Sequence, residues 1–292
     1  MSFVKWMGGK SKVLHLFKDY FPNFNNISGY IEPFVGGGSV FFYLKENGFL
    51  NNKQVYLSDI NNELITTYKV VRDDPNELML LLEKYEKLNC RKYYNDVRKR
   101  FPPGIGMTNI EKAAAFIYLT TTAFGGQWRV NSKGKFNKSY SGNDNIVIAN
   151  DNILHYSKLL QETDIRQQSF EKILELETDL ENYFIYADPP YYNTNSVCYA
   201  KDGFGLNTRM LIPKIFKKLN ELGCKVMMSN ADCPIIYDIF KDYNITKIYT
   251  NVINTNRNNI KLGYNETEKL VEVVVTNYQV SKKQKNIEDA WM

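Results

Sequence analysis

Short apolar segments alternate with amphipathic ones along most of the chain, a pattern that predicts a sheet with flanking helices. The apolar segments have strand length and begin near residues 30, 54, 163, 183, 225, 245 and 270. Between them, apolar residues recur every three to four positions, which predicts helices over 63–71 and 210–222. Ser169 is predicted to cap a further short helix. This alternation predicts an α/β fold with a Rossmann-like sheet.

Residues 74–122 interrupt the alternation with continuous helical spacing, broken at residues 102–104. This stretch predicts a helical insertion between sheet strands. Residues 124–140 then predict a hairpin with its turn at 131–134. Basic and aromatic residues are interleaved along the hairpin, and no acidic residue interrupts them. Such a composition suits a ribbon that enters a nucleic-acid groove.

The densest basic cluster, residues 91–100, lies in the predicted insertion. Two interpretations of it remain open, a solvated helix face and a surface that contacts phosphates. The net charge of +5 permits a nucleic-acid partner without requiring one.

Cysteine and histidine usage argues against a metal site. The chain has four cysteines without Cys-x-x-Cys spacing and only two histidines, so we expect reduced thiols and no bound metal. The apolar runs have strand length, and residues 1–17 lack the uninterrupted apolar core of a signal peptide. We therefore expect a cytoplasmic protein without a membrane segment.

One predicted buried strand, Tyr183–Ala187, ends in a carboxylate. It is followed by Asp188-Pro189-Pro190-Tyr191. Because Pro189 has no N–H and disfavours a helical residue before it, the strand must stop near Asp188. Open α/β sheets bind ligands at the carboxyl ends of their strands, so this segment predicts a site. The alternative is a turn in which Asp188 only caps.

Two further segments are typical of cofactor binding. A strand runs into Gly36-Gly37-Gly38 and then a helix, where glycines let the backbone approach a ligand and helix-start N–H groups favour a carboxylate. Asp59 ends the next strand about 20 residues later, the spacing at which an acid holds ribose hydroxyls. A tight turn without a ligand and a helix-capping Asp59 remain open alternatives.

The segment Lys5-Trp6-Met7-Gly8-Gly9-Lys10 predicts a loop in which the backbone approaches a ligand and Lys10 supplies positive charge. A solvated loop is the alternative interpretation.

The sequence Asp188-Pro189-Pro190-Tyr191 resembles the catalytic motif of amino-group methyltransferases, which methylate adenine N6 or cytosine N4. From Lys5 to Asn277 the order of segments is similar to that of Dam-type DNA adenine-N6 methyltransferases in the alpha arrangement. The resemblance implies a Rossmann-like S-adenosylmethionine-dependent methyltransferase sheet with an inserted helical and β-hairpin target-recognition domain. We expect the catalytic domain at 1–62 and 150–292, and the insertion at 63–149.

The same resemblance implies S-adenosyl-L-methionine as the cofactor. It would lie against Trp6, Lys10, Phe34, Gly36, Gly38, Asp59, Ser169, Phe170 and Asp188. The Asp188–Tyr191 segment would hold a flipped adenine: Asp188 and a turn carbonyl accept the amino hydrogens, and Tyr191 stacks on the base. Catalysis would rest on positioning and electrostatics. Ser229 and Asn230 would support the site, and the loop at 192–206 would order over the base.

For the DNA contacts, the resemblance implies double-stranded DNA held by Lys5, Phe124, Arg129, Asn131 and Lys138. Lys5 and Arg129 would read guanines, and Phe124 would wedge between bases. Lys138 is expected to contact a phosphate. After residues 136–137 the family often carries an apolar residue and a proline, where this chain has Lys138-Ser139. A GATC-like target is the expectation.

Alternatives to a DNA adenine-N6 methyltransferase remain open at this point. One is an amino-methyltransferase acting on cytosine N4 or on RNA, and another is a non-catalytic DNA-binding module on the same fold. Asp188 argues against the first, because cytosine-N4 enzymes usually resemble a Ser-Pro-Pro-Tyr motif. The presence of both Asp188 and Tyr191 argues against the second. A cognate restriction endonuclease acting separately is a further expected partner.

Overall fold

The computed structural model describes residues 3–6, 8–102, 105–148, 151–191, 206–252 and 268–280. The chain forms two compact units, one of residues 1–12 and 29–176 and the other of residues 13–28 and 177–292. This division by compactness differs from the predicted division by function, which stays a prediction. The predicted loop over the base, at 192–206, lies outside the described residues except for its last position.

Nine α-helices and seven strands occur in the described residues, together with short 3₁₀ helices. The helices are α1 (Leu14–Phe17), α2 (Ser39–Glu46), α3 (Asn62–Asp73), α4 (Pro75–Lys87), α5 (Arg91–Arg100), α6 (Asn109–Thr122), α7 (Asp151–Leu160), α8 (Leu206–Glu221) and α9 (Pro234–Ile239). The strands are β1 (Gly29–Glu32), β2 (Gln54–Asp59), β3 (Thr163–Gln167), β4 (Tyr183–Ala187), β5 (Lys225–Ala231), β6 (Asn244–Val252) and β7 (Glu268–Thr276).

In the first unit, three parallel strands lie in the order β3-β2-β1. All four residues of β1 are buried, as expected for a strand covered on both faces. Glu32 pairs with Leu57, and Asp59 pairs with Gln167. This register brings the carboxyl ends of the three strands to one edge, where the glycine loop and Asp59 follow β1 and β2.

The predicted helical stretch at 74–122 consists of α4, α5 and α6. α6 begins at a capping box, in which Thr108 accepts from the backbone of Glu111 and the Glu111 carboxylate accepts from the backbone of Thr108. Residues 113–120 are all buried. Because α3, α4 and α5 each contact α6, it is the central helix of this part of the unit.

In the second unit, β4 and β5 are parallel, and β7 pairs antiparallel with both β5 and β6, giving the order β4-β5-β7-β6. Phe184 of β4 is fully buried and packs edge-on against Phe21 and Phe24. β4 ends at Ala187, so the predicted strand and its stop before Asp188 are confirmed.

Candidate active site and DNA-reading surface

The glycine loop after β1 is a tight turn in which the backbone N–H of Gly38 donates to the carbonyl of Val35 at 2.7 Å. Gly36 and Gly38 have φ of +47° and +66°, a region that favours glycine. A Cβ on Gly36 would lie 2.8 Å from Cδ1 of Trp6. The turn and its packing thus require these glycines, and the loop by itself does not demand a ligand.

Buried polar side chains form hydrogen bonds to the backbone of the glycine loop and of the helix that follows it. The hydroxyl of Tyr68, which is fully buried, donates to the carbonyl of Gly36 at 3.0 Å. Burial raises the pKa of Tyr68, so the hydroxyl stays protonated. Glu32 accepts from the Tyr30 hydroxyl at 2.7 Å and from the backbone N–H of Phe41 at 3.1 Å. The carboxylate of Glu32 therefore anchors the start of α2 beside the loop.

Asp59 is fixed at the carboxyl end of β2, next to the glycine loop. Its Oδ2 accepts from the backbone N–H of Gly36 at 3.2 Å, and its Oδ1 accepts from that of Asn61 at 2.9 Å. Desolvation raises the pKa of this half-buried carboxyl, and the backbone hydrogen bonds oppose the rise. The cap of α3 is Asn61, which accepts from the backbone of Leu64. The interpretation of Asp59 as that helix cap is therefore wrong.

An aromatic pair lies in the same unit, where the rings of Phe34 and Phe170 are 5.2 Å apart and inclined by 30°. Phe170 is buried, whereas Phe34 is partly exposed. Ser169 precedes Phe170 but makes no side-chain cap to the short 3₁₀ helix at Phe170–Glu175. Its hydroxyl donates to the carboxylate of Glu171 instead, so the predicted cap is wrong.

The N-terminal loop packs near the start of α2. Trp6 lies against Gly36 and stacks on Phe116 with the ring centroids 6.2 Å apart. Lys10 is only 5% exposed, and its Nζ donates to the carbonyl of Gly8 at 3.4 Å. A lysine this buried is rare unless it is paired or serves a ligand, which argues against a solvated loop.

In the second unit, Asp188 follows β4 and accepts a hydrogen bond at Oδ1 from the hydroxyl of Ser229 at 2.7 Å. Ser229 is fully buried on β5 and lies 3.1 Å from the hydroxyl of Tyr186. Pro189 is buried and Pro190 is exposed. The strand register places Ala187 opposite Met228, so Asp188 and Ser229 are neighbours. Among the described residues, this carboxylate is oriented by a buried serine.

Tyr191 is held by its hydroxyl in the same unit. The hydroxyl lies close enough to Ser229 and to the carboxylate of Glu272 for both to affect its pKa. Burial raises the pKa of the Tyr191 hydroxyl far above its ordinary value, and the charges of Asp188 and Glu272 raise it further. Tyr191 therefore stays neutral, and its ring is oriented by two polar neighbours. Glu272 lies on β7 opposite Ala231 and is 9% exposed.

The hairpin forms its predicted turn but not regular strands. The backbone N–H of Gly134 donates to the carbonyl of Asn131 at 2.9 Å, and Gly134 has φ of +72°. Backbone pairing between the two sides of the described hairpin takes the form of isolated bridges, such as Val130 to Phe136. The Oδ1 of Asn131 accepts from the backbones of Lys133 and Lys135 at 2.9 and 3.1 Å. That side chain thus stabilises the turn.

Most aromatic residues of the hairpin pack inward. Trp128 contacts Phe116 of α6 and Phe136, with centroid distances of 4.5 and 5.2 Å. The predicted aromatic ribbon inside a groove is therefore wrong for these rings, because α6 supplies a nearby apolar partner. Phe124 differs, since it is 69% exposed.

The basic side chains form the outer surface. Arg129 is exposed, and its Nε donates to Oδ1 of Asn137 at 2.8 Å. A Cβ on Gly126 would lie 2.9 Å from Cδ of Lys5, so the stem of Lys5 packs against the base of the hairpin. Lys138 is half-buried, and its Nζ donates to Oε1 of Gln127 at 2.5 Å.

A cleft of about 400 Å³ lies between α5 and the hairpin. Its lining is mainly basic and amide side chains: Arg98, Lys99, Asn131, Lys135, Phe136 and Asn137. Arg98 donates to the carbonyl of Lys138 at 2.9 Å, which ties α5 to the hairpin. Arg98 thus joins the basic cluster to the hairpin, while Lys99 and the other basic residues of α5 are exposed, so both interpretations of the cluster stay open.

Across the described ranges, no group of three or more His, Cys, Asp or Glu side chains is arranged to hold a metal ion. Among the same residues, no helix combines the length and apolarity that crossing a bilayer requires.

Residues 6–253 match the family described as D12 class N6 adenine-specific DNA methyltransferase. The chain belongs to this family. It is 33% identical to the type II methyltransferase M1.LlaDCHI of Lactococcus lactis subsp. cremoris, over 94% of this chain and 95% of that protein. It is 34% identical to the type II methyltransferase M.MjaIII of Methanocaldococcus jannaschii, over 94% and 98%. The DNA adenine methylase of Escherichia coli is 26% identical over 79% and 81%.

Family membership confirms the predicted adenine-N6 DNA methyltransferase activity and its α/β fold class. It decides against cytosine N4, RNA and a non-catalytic module. The methyltransferase carries its predicted cofactor residues Trp6, Phe34, Gly36 and Asp59 around one strand edge, while Asp188 and Tyr191 lie together in the other unit. Their individual roles stay predictions.

Sequence reasoning missed several side chains of the methyltransferase. Tyr68 contacts the glycine loop, and Glu272 lies near Tyr191. In the hairpin, Gln127 contacts Lys138 and Asn137 contacts Arg129. The sequence carried one usable signal, an acidic residue within the apolar strand 270–275, because a lone carboxylate in a buried strand is costly unless it has a partner.

Proposed function

We propose that this enzyme transfers the methyl group of S-adenosyl-L-methionine to N6 of a flipped adenine in double-stranded DNA. The observation that carries the proposal is the fixed carboxylate of Asp188. It follows a buried parallel strand, precedes a rigid Pro-Pro turn, and accepts from buried Ser229 at 2.7 Å. Such a carboxylate is pre-oriented to accept hydrogens from an amino group.

The first unit fits an S-adenosyl-L-methionine site. Each oxygen of Asp59 accepts a backbone N–H, and a carboxylate has about four lone-pair positions. Asp59 therefore has capacity for ribose hydroxyls. The ring pair Phe34 and Phe170 offers an apolar wall for an adenine ring. Ser169 flanks that wall, and Lys10 adds positive charge near the glycine loop.

When bound, the cofactor supplies an electrophilic methyl group. The chain's own residues prepare the acceptor nitrogen, whose lone pair is delocalised into the adenine ring. Asp188 and a carbonyl of the Pro189-Pro190 turn accept the two N6 hydrogens, which favours a pyramidal nitrogen with its lone pair available. These contributions are positioning and electrostatics, and no covalent enzyme intermediate is required.

Tyr191 provides the face on which the adenine stacks. Chemistry on a base edge requires the base to leave the duplex. The Tyr191 hydroxyl has Ser229 and Glu272 as polar neighbours, and these neighbours favour one orientation of the ring. Stacking on an aromatic side chain is worth about 1–3 kcal/mol per base.

DNA is held by the hairpin surface. Arg129 is proposed to read a guanine, Lys5 a second guanine, and exposed Phe124 to wedge between bases. Lys99 and Lys135 in the basic cleft are placed to contact phosphates, which adds affinity on every sequence. Asn131 acts on DNA through the turn that it stabilises. Two guanine readers around the target adenine support a GATC-like site.

The wider setting of the enzyme is also proposed. Two of the similar proteins are named type II methyltransferases, a name that supports a separately acting cognate restriction endonuclease as partner. A DNA substrate supports a cytoplasmic location.

Sequencing of modified bases in DNA from cells that express this chain tests the proposal. The expected result is N6-methyladenine at one short recurring site, absent from cells without the chain. N4-methylcytosine, or methylation only of RNA, would contradict it. A strain that expresses Asp188→Ala is the matched comparison, and no N6-methyladenine is expected in its DNA.

A further inference from the structure

The hairpin carries a second cross-strand pair of polar side chains besides the one that holds Arg129. The Nζ of Lys138 donates to Oε1 of Gln127 at 2.5 Å, and both side chains are half-buried. The backbone beneath this pair is fixed from α5, because the Tyr94 hydroxyl and Arg98 both donate to the carbonyl of Lys138, at 3.0 and 2.9 Å.

We propose that Lys138 and Gln127 together read a guanine in the major groove, and that Lys138 prevents Gln127 from reading adenine. The proposal rests on the proposed function in one respect, that the hairpin enters double-stranded DNA. It assigns Lys138 to a base edge instead of the phosphate contact predicted from the sequence.

The hydrogen-bonding groups of the pair carry the argument. A glutamine on its own presents one acceptor and one donor side by side, the complement of N6 and N7 of adenine. In this hairpin the ammonium of Lys138 donates to the amide oxygen of Gln127, which takes one of that oxygen's two acceptor positions and sets a positive charge beside the other. The pair then presents mainly N–H donors, from the ammonium and from the amide nitrogen. Guanine is the base that offers two neighbouring acceptors, N7 and O6, in the major groove.

The position of the pair suits base reading. Gln127 comes directly after Gly126, against which Lys5 packs, and two residues before exposed Arg129. The pair thus lies between the two proposed guanine readers. GATC contains one guanine on each strand, which Lys5 and Arg129 already account for. A third guanine reader therefore predicts a target that differs from GATC, or extends it, by one G·C pair.

The test uses the full-length enzyme and a library of random-sequence duplexes. Two readouts are taken, the sequence context of N6-methyladenine and the sequences retained in a binding selection. The wild type is compared with Lys138→Met and Gln127→Leu. Lys133→Met is the matched control, because it removes an equal charge from the exposed turn without touching Gln127.

The wild type should prefer guanine at a third position, by roughly 5- to 150-fold over other bases. Lys138→Met should lose that preference and gain adenine at the same position, since the amide oxygen of Gln127 is released. Gln127→Leu should lose the guanine preference without gaining adenine. Lys133→Met should weaken all sequences alike and keep the preference.

Two results would overturn the inference: a wild-type site without a third guanine, or a uniform loss for Lys138→Met with the site preference intact. If Lys138→Met does not fold, as judged by its thermal melt, Gln127→Leu decides, because an unchanged preference in that variant also overturns it. If the wild type makes no N6-methyladenine, the proposed function fails instead. The binding selection then still shows whether Gln127 and Lys138 read a guanine.

Discussion

Replacing Asn137 by alanine should weaken the sequence preference at the base pair that Arg129 reads, although the arginine itself is kept. The Nε of Arg129 donates to Oδ1 of Asn137 at 2.8 Å. This bond leaves both terminal nitrogens of the guanidinium for N7 and O6 of a guanine. Without the Asn137 acceptor, the exposed side chain of Arg129 samples more rotamers. Binding to guanine then costs more conformational entropy.

The size of the effect follows from the two contacts. A bidentate contact to guanine is worth about 1–3 kcal/mol of discrimination, and a hydrogen bond made at the protein surface about 0.5–1.5 kcal/mol. Asn137→Ala should therefore lower the preference at one base pair by roughly threefold to tenfold. Arg129→Ala should abolish that preference, a loss of roughly 5- to 150-fold.

The assay is the methylation rate on duplexes that carry each single-base change in the site, at two salt concentrations. Asn137→Asp is the control, because it keeps an oxygen that Arg129 can donate to. It should bind all duplexes more weakly, through repulsion of phosphates, while the preference survives. A uniform loss for Arg129→Ala, or for Asn137→Ala, with the preference intact would show that this pair holds the DNA backbone and refute the reasoning.

Changes at three other positions probe the active site. Asp59→Ala should weaken cofactor binding by about 1.5–3 kcal/mol, roughly 10- to 150-fold, with DNA affinity nearly unchanged; an unchanged calorimetric titration would confine Asp59 to its backbone contacts. Tyr68→Phe should lower the free energy of unfolding by about 1–3 kcal/mol, because it leaves the buried carbonyl of Gly36 without its donor; an unaltered urea midpoint would contradict this. Ser229→Ala should lower kcat while the cofactor Kd stays constant, and Ser229→Thr should restore much of the rate; equal rates for all three enzymes would remove Ser229 from the site.

Features set by local chemistry could be predicted from the sequence. The stop of β4 before Asp188 follows from Pro189, which has neither an N–H for the ladder nor tolerance for a helical neighbour. The glycine turn and the acid at the end of β2 were also predictable, because each depends on a few adjacent residues. The helical pattern of 74–122 was long enough to identify α4 to α6.

Features that depend on distant parts of the chain could not be predicted. The interleaved basic and aromatic residues of the hairpin predicted a ribbon that enters a groove, yet Trp128 and Phe136 pack inward because α6 brings Phe116 to Trp128. Glu272 reaches Tyr191 only through the pairing of β7 with β5. Ser169 makes no helix cap, and its hydroxyl donates to the carboxylate of Glu171, two residues away.

The Gln127–Lys138 pair shows the same limit within a short segment. Both residues are visible in the sequence, but their contact depends on the irregular path of the hairpin and on α5, which holds the backbone of Lys138. A regular two-stranded ribbon would place these two side chains on opposite faces. From this contact we propose that Lys138 is part of a base-reading pair, where the sequence predicted a phosphate contact.

The central claim is that Asp188 activates an adenine amino group, and single-turnover methyl transfer tests it most directly. Wild-type enzyme and Asp188→Ala are each saturated with tritiated S-adenosyl-L-methionine and mixed with double-stranded DNA, and the digested nucleosides are identified by mass spectrometry. The account predicts N6-methyladenine from the wild type, and none from Asp188→Ala although that variant still binds DNA. Full transfer by Asp188→Ala, or a product methylated on another base, would contradict it.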